Sequence, residues 1–217
     1  YYAYKMGIPV NRFICASNEN KVLTDFINTG VYDIRREFHL TNSPSMDILI
    51  SSNLERLLYH LSGDDGEQIK ALMEDLDGKK VYEVSDKIKE GLKVFYGGFA
   101  TVEETNETIG KVYKEAGYLM DTHTAVAYKV YEDYKNATGD KIPAVIASTA
   151  SPYKFADSVA KAIGLAECKG GFEYVREVNE ATGVPVPLGL KDLDKKPVLH
   201  TGVLDIDQMA QAVKDCL

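Results

Sequence analysis

Two stretches set hydroxyl and amide side chains where an apolar run gives way to a helical pattern: Ala16-Ser17-Asn18-Glu19-Asn20 and Ser148-Thr149-Ala150-Ser151-Pro152. In open α/β sheets, ligands bind outside the carboxyl ends of the strands, where helix N-termini offer free N–H groups and a positive dipole end. Anion or polar-cofactor binding is the chemistry such junctions suit. Ser151 followed by Pro152 is the usual pair at a helix start, and capping alone explains it. Thr149 precedes the cap, so helix formation does not require its hydroxyl. It is either a β-branched residue favoured at a strand end or a ligand contact. His123, in Asp121-Thr122-His123-Thr124, is an acid–base candidate or a histidine packed at a helix start. No serine, cysteine or carboxylate partner stands at triad spacing from it, which favours packing. Glu55 reads as the capping-box partner of Ser52, and Asp47 has no role that its neighbours assign. Neither a GxGxxG nor a GxxxxGK[ST] phosphate loop occurs.

Alternating elements are expected to carry these residues. The opening Tyr-Tyr-Ala-Tyr-Lys-Met-Gly reads as the last turns of a helix ended by Gly7, without a cap or an initiator methionine, so a segment is expected to precede it. Residues 12–16 form a short buried strand, after which Ser17 stands at an N-cap position with Asn20 three residues on. Val22, Leu23, Phe26 and Ile27 then make one helical face that Gly30 ends. Ser52-x-x-Glu55 is a capping box for a helix burying Leu54, Leu57, Leu58 and Leu61. Residues 64–91 keep helical spacing at Ile69, Leu72, Met73 and Leu76. Residues 93–98 read as a strand stopping at two glycines, and Thr101-x-x-Glu104 caps the next helix, with Val112 and Tyr113 on its apolar side. Helices are expected over 122–137, 151–163 and 171–181, and strands over 142–147 and 196–200. A last helix from Asp205 turns Met209, Ala212 and Val213 inward. About four strands against eight or so helices, in alternating order, give an α/β fold with a parallel sheet flanked by helices. With no repeat and no dividing linker, residues 1–217 read as one domain.

The composition narrows the partners. The chain has 217 residues, 45% hydrophobic and 27% charged, with a net charge of −8. That balance, without a basic stripe, argues against nucleic acid and anionic membrane surfaces. No apolar run reaches the roughly 18 residues of a membrane span, and no signal peptide is visible. Cys15, Cys168 and Cys216 are too far apart to form a framework and suit reduced thiols in a cytoplasm. The four histidines share no zinc-ligand spacing with them.

Four stretches in register resemble threonine synthase: ICASNENKVLTDFINTGVYD (14–33), TNSPSMDILISSNLERLLYHL (41–61), GYLMDTHTAVAY (117–128) and STASPYKF (148–155). The resemblance implies the C-terminal part of a tryptophan-synthase-β-like domain, fold type II of the pyridoxal-phosphate enzymes. It implies pyridoxal 5'-phosphate as cofactor and the conversion of O-phospho-L-homoserine and water to L-threonine and phosphate. The Schiff-base lysine and the glycine- and asparagine-rich phosphate loop belong, by the same resemblance, to an N-terminal half expected to precede Tyr1. The chain alone is then expected to be inactive and to self-associate through the surface that half would cover. Thr149 matches the threonine of the family's Thr-Ala-x-Pro-x-Lys-Phe motif, which lies near the pyridine nitrogen. Ser151 and Tyr153 depart from it, standing where many members carry histidine and alanine, so no histidine role transfers. Asn18, Asn20 and Ser51-Ser52-Asn53 fall in motifs on the pocket side, with capping and turn formation the competing explanation for Ser52 and Asn20. Lys154 and Arg56 are candidate phosphate ligands that the motifs leave unassigned. The alternatives are another fold type II lyase or dehydratase acting on a hydroxy amino acid, and a binding module that retains the fold.

Overall fold

The computed structural model describes residues 1–216, and its contacts divide them into two compact units, Tyr1–Val184 and the residues from Pro185 onward. In the first unit, helix α1 (Tyr2–Lys5) leads to strand β1 (Phe13–Ser17), helix α2 (Val22–Thr29) and strand β2 (Val31–Asp33). Helices α3 (Leu54–Ser62) and α4 (Gly66–Lys79) precede strand β3 (Val81–Glu83), helix α5 (Asp86–Leu92) and strand β4 (Phe95–Phe99). Helices α6 (Val102–Ala116), α7 (Thr122–Thr138), α8 (Ala156–Ala162) and α9 (Gly171–Thr182) complete the unit. The second unit holds a short helix, α10 (Met209–Asp215), led by a 3-10 turn.

Strands β1 and β4 pair in parallel, from Phe13 opposite Phe95 to Ser17 opposite Phe99. The two expected stopping glycines lie inside β4, because helices crowd both faces of the strand. A Cβ on Gly97 would stand 2.9 Å from the Thr24 carbonyl oxygen of α2, and one on Gly98 would stand 2.6 Å from Val130 of α7. Only glycine admits that approach. The Thr24 hydroxyl uses it, donating to the Gly98 carbonyl at 2.6 Å.

Beside this pair lies a small antiparallel ladder of β2 and β3, in which Tyr32 and Tyr82 stand opposite each other. Their rings stack at 5.2 Å, and Phe26 of α2 meets both edge-on. Val22, Phe26, Leu54, Leu58, Ile69 and Leu76 are buried on the faces the helical spacing marks. Each such side chain, fully buried, contributes about 1.5–3 kcal/mol.

Several expected boundaries move, each for a local reason. Ser17 closes β1 rather than capping α2, whose N-cap is Lys21 with no side-chain bond. The box Ser52-x-x-Glu55 does not form: α3 starts after Asn53, which makes no side-chain cap bond. There the Ser51 N–H donates to the Tyr32 hydroxyl at 2.9 Å and the Leu54 N–H to the Ser51 carbonyl at 3.2 Å, so backbone and a distant tyrosine set the turn. The span 64–91 is not one helix, because Lys80 adopts φ 63° and ends α4, freeing Val81–Glu83 to pair with β2. By contrast Thr101 and Glu104 form the expected capping box of α6.

The expected strand 142–147 is extended but unpaired, and Val145 is 99% exposed. Backbone N–H and C=O groups become a strand only beside a neighbour. Among the described residues β1 pairs with β4 alone, and no strand reaches this segment. Residues 196–200 are likewise not a strand, and in α10 Met209 and Val213 are exposed rather than inward. No helix among the described residues is long and apolar enough to cross a membrane.

Candidate cofactor and substrate site

A groove of about 840 Å³ runs along the approach to β1, the first turns of α7 and the extended segment 142–150. Thr149 and Lys154 line it, with Ser45, Met46 and His123. Thr149 is exposed to the groove, and its hydroxyl makes no hydrogen bond among the described residues. Neighbouring Ser148 stands 3.0 Å from the Thr124 hydroxyl of α7, tying the segment down one residue before Thr149.

Ser151 serves as the cap its sequence suggests. Its Oγ accepts from the Tyr153 N–H at 3.3 Å at the head of a 3-10 turn, Pro152–Phe155, that runs into α8. Tyr153 has a structural task of its own. Its ring is buried and its hydroxyl donates to the Val184 carbonyl, while burial raises its pKa. The departure from alanine at this position therefore anchors the turn against the end of α9. Lys154, next in the turn, points the other way and donates to Ser45 Oγ at 3.1 Å.

His123 sits in the first turn of α7, capped by Asp121, whose Oδ1 accepts from the His123 and Thr124 N–H groups at 2.9 and 3.1 Å. Asp121 Oδ2 accepts from the Thr124 hydroxyl. The Ser45 N–H donates to His123 Nε2 at 3.2 Å, which assigns the lone pair to Nε2 and the proton to Nδ1, 3.4 Å from Asp121. Burial lowers the His123 pKa; nearby Lys154 lowers it further, and Asp121 pulls it up. The result is a neutral, oriented imidazole that holds Ser45 in place.

Asn18 and Asn20 do not line the groove; they build the loop that does. Asn18 Nδ2 donates to Asp47 Oδ1 at 2.7 Å, Thr41 Oγ1 at 2.9 Å and Ser43 Oγ at 3.1 Å. Asn20 Nδ2 donates to the His39 carbonyl at 2.8 Å and to Asp47 Oδ1 at 3.1 Å. Asp47 also accepts from the Thr41 N–H and hydroxyl at 3.0 and 2.8 Å. This buried knot folds residues 39–47 so that Ser45 and Met46 face the groove. Neither was singled out by sequence reasoning; the polar density of TNSPSMD was the signal.

Ser51, Ser52 and Asn53 also lie off the groove, in the turn before α3. Arg56 lines a different groove, with Tyr59, His60 and Met73 between α3 and α4. The two candidate phosphate ligands are thus separated, and Lys154 alone shares a surface with Thr149. Among the described residues no cluster of histidine, cysteine and carboxylate is arranged to hold a metal ion.

The Thr149 hydroxyl, with no partner among the described residues, is open to a ligand in the groove. The family described as "Threonine synthase, C-terminal" matches residues 124–216. Human threonine synthase-like 1 is 37% identical over 94% of this chain, and yeast threonine synthase is 39% identical over 75% of it. The chain spans only 26% and 35% of those relatives. The crystal structure of PLP-bound threonine synthase from Brucella melitensis superposes on 99% of this chain and 42% of its own, with a TM-score of 0.80 and 32% identity. In sequence and in fold, the chain belongs to the threonine synthase family and carries the C-terminal part of its fold type II domain.

Proposed function

We propose that this chain forms the pyridine-nitrogen wall of a pyridoxal 5'-phosphate site, in a protein that converts O-phospho-L-homoserine and water to L-threonine and phosphate. The observation that carries the proposal is Thr149: motif-matched, free of capping duty, without a partner among the described residues and lining the groove. The cofactor, when bound, supplies an electron sink for carbanion chemistry. Thr149 offers its ring nitrogen a neutral hydroxyl, which does not hold that nitrogen protonated as a carboxylate would. The side chains of Ser148 and Ser151 tie down the residues on either side of it, through the Thr124 hydroxyl and the Tyr153 N–H. The N-terminal portion that the relatives carry would supply the cofactor-anchoring lysine and the phosphate loop. The cytoplasm, where free thiols persist, is the compartment this reading implies.

Substituting valine for Thr149 removes the hydroxyl and keeps the shape. The expected result is cofactor affinity weakened by up to roughly tenfold, the worth of one hydrogen bond, with an altered cofactor absorbance and reduced phosphate release. Thr149→Ser should retain both. Unchanged spectra and turnover in Thr149→Val would refute the assignment.

A further inference from the structure

Thr149 stands in a segment with few bonds of its own. Among the described residues no backbone–backbone hydrogen bond involves residues 143–150, and the one side-chain bond there joins Ser148 to Thr124 of α7. On the carboxyl side the chain enters the turn Pro152–Phe155, which Tyr153 fastens to α9. The Tyr153 side chain is buried, and its hydroxyl donates to the Val184 carbonyl just past the end of that helix. Asn179 Nδ2 donates to the same carbonyl at 2.7 Å, and Thr182 Oγ1 accepts from the Val184 N–H at 3.2 Å. The residue that receives the tyrosine is therefore held at both of its own polar groups. Burial raises the Tyr153 pKa, so the hydroxyl keeps its proton and remains a donor at neutral pH. At the backbone, the Tyr153 N–H donates to Ser151 Oγ at 3.3 Å. One residue thus links a fixed point at the end of α9 to the cap two positions after Thr149. Alanine, which many family members carry here, could keep the N–H bond but not the anchor.

We infer that Tyr153 is the residue that positions the Thr149 hydroxyl, by tying the carboxyl-side end of its segment to the end of α9. Tyr153 does not line the groove, so its influence on a ligand there passes through Thr149. A hydrogen bond weakens steeply as its geometry departs from the ideal, and a loosened donor must also be ordered when the ligand binds. Removing the anchor therefore weakens the bond that Thr149 makes without touching the ligand. The effect on Thr149 stands by itself; the effect on pyridoxal 5'-phosphate rests on the proposed function above.

The test compares Tyr153→Phe, which keeps the ring and removes the O–H, with Val178→Ala, which trims the buried face of α9 and leaves that hydroxyl in place. In the chain without cofactor, the methyl NMR signal of Thr149 should move toward that of a disordered threonine with Tyr153→Phe and stay in place with Val178→Ala. An unmoved signal in the first variant, or equal shifts in both, overturns the inference. In the protein together with the N-terminal portion its relatives carry, Tyr153→Phe should weaken pyridoxal 5'-phosphate several-fold, the worth of one hydrogen bond, and alter the cofactor absorbance. Added to Thr149→Val, the same substitution should cost nothing further, because two residues that act through one bond are not additive. Losses that multiply would show a route that bypasses Thr149, such as Lys154 on the same turn, and would also overturn the inference. Cofactor binding indifferent to Thr149→Val would sink the proposed function instead, whereas the methyl signal decides the anchor without any cofactor.

Discussion

At the scale of single residues, side chains that serve local structure and side chains that face the groove separate cleanly. Ser151 and Thr149 are two positions apart, yet the first closes a turn and the second has no side-chain bond among the described residues. The sequence rules for caps distinguish them, because capping is a short-range matter of N–H groups that need an acceptor. The roles of Asn18, Asn20 and Asp47 were not legible in that way. Their partners lie 23 to 29 residues along the chain for Asn18, and a buried polar knot leaves no periodic trace. His123 carries a pH prediction. Burial holds its folded pKa below the ordinary histidine value, so the unfolded chain takes up this proton at higher pH than the folded one does. Its contribution to stability is therefore present above the ordinary histidine pKa and declines as pH falls through it. Urea midpoints measured from about pH 7.5 to about pH 5.5 should fall less steeply for His123→Gln than for the unaltered chain. Equal slopes would contradict the half-buried neutral imidazole.

Among the elements, local signals are legible in the sequence and long-range ones are not. The α6 capping box and the buried faces of α2, α3 and α4 follow from spacing within a few residues. The α4 stop at Lys80, the β2–β3 ladder and the unpaired segment 142–147 depend on what stands beside them in space. The apolar run at 142–147 has the composition of a buried strand but no neighbour among the described residues. In β4 the glycine pair has the composition of a stop, but the approach of α2 and α7 is what requires it. Gly97→Ala tests this packing: the new Cβ would press on the Thr24 backbone, which cannot yield as a flexible side chain would. Destabilisation of about 1–3 kcal/mol is expected, read as a lowered denaturant midpoint with an unchanged slope. A neutral result would mean that α2 is not held so close to the strand.

For the molecule as a whole, family membership was legible because four motifs keep their order along the chain, whereas each motif alone reads as a capped helix or a turn. The first unit leaves β1 with one strand partner and the apolar segment 142–147 exposed, Ile142 at 52% and Val145 at 99%. Unpaired strand edges beside apolar side chains template association. Sedimentation of the isolated chain should therefore show concentration-dependent association, reduced by Val145→Asp. A monomer at all concentrations, or association indifferent to that change, would show that this surface is not the sticky one. The proposed role of the chain is to lend Thr149 to a threonine-forming pyridoxal phosphate site. Its most direct measurement is phosphate and threonine release from O-phospho-L-homoserine, by this chain together with the N-terminal portion its relatives carry. Equal amounts of the two products are expected, formed readily with Thr149 or Thr149→Ser and markedly more slowly with Thr149→Val. Cofactor-loaded protein that releases neither product, or releases both regardless of residue 149, would contradict it.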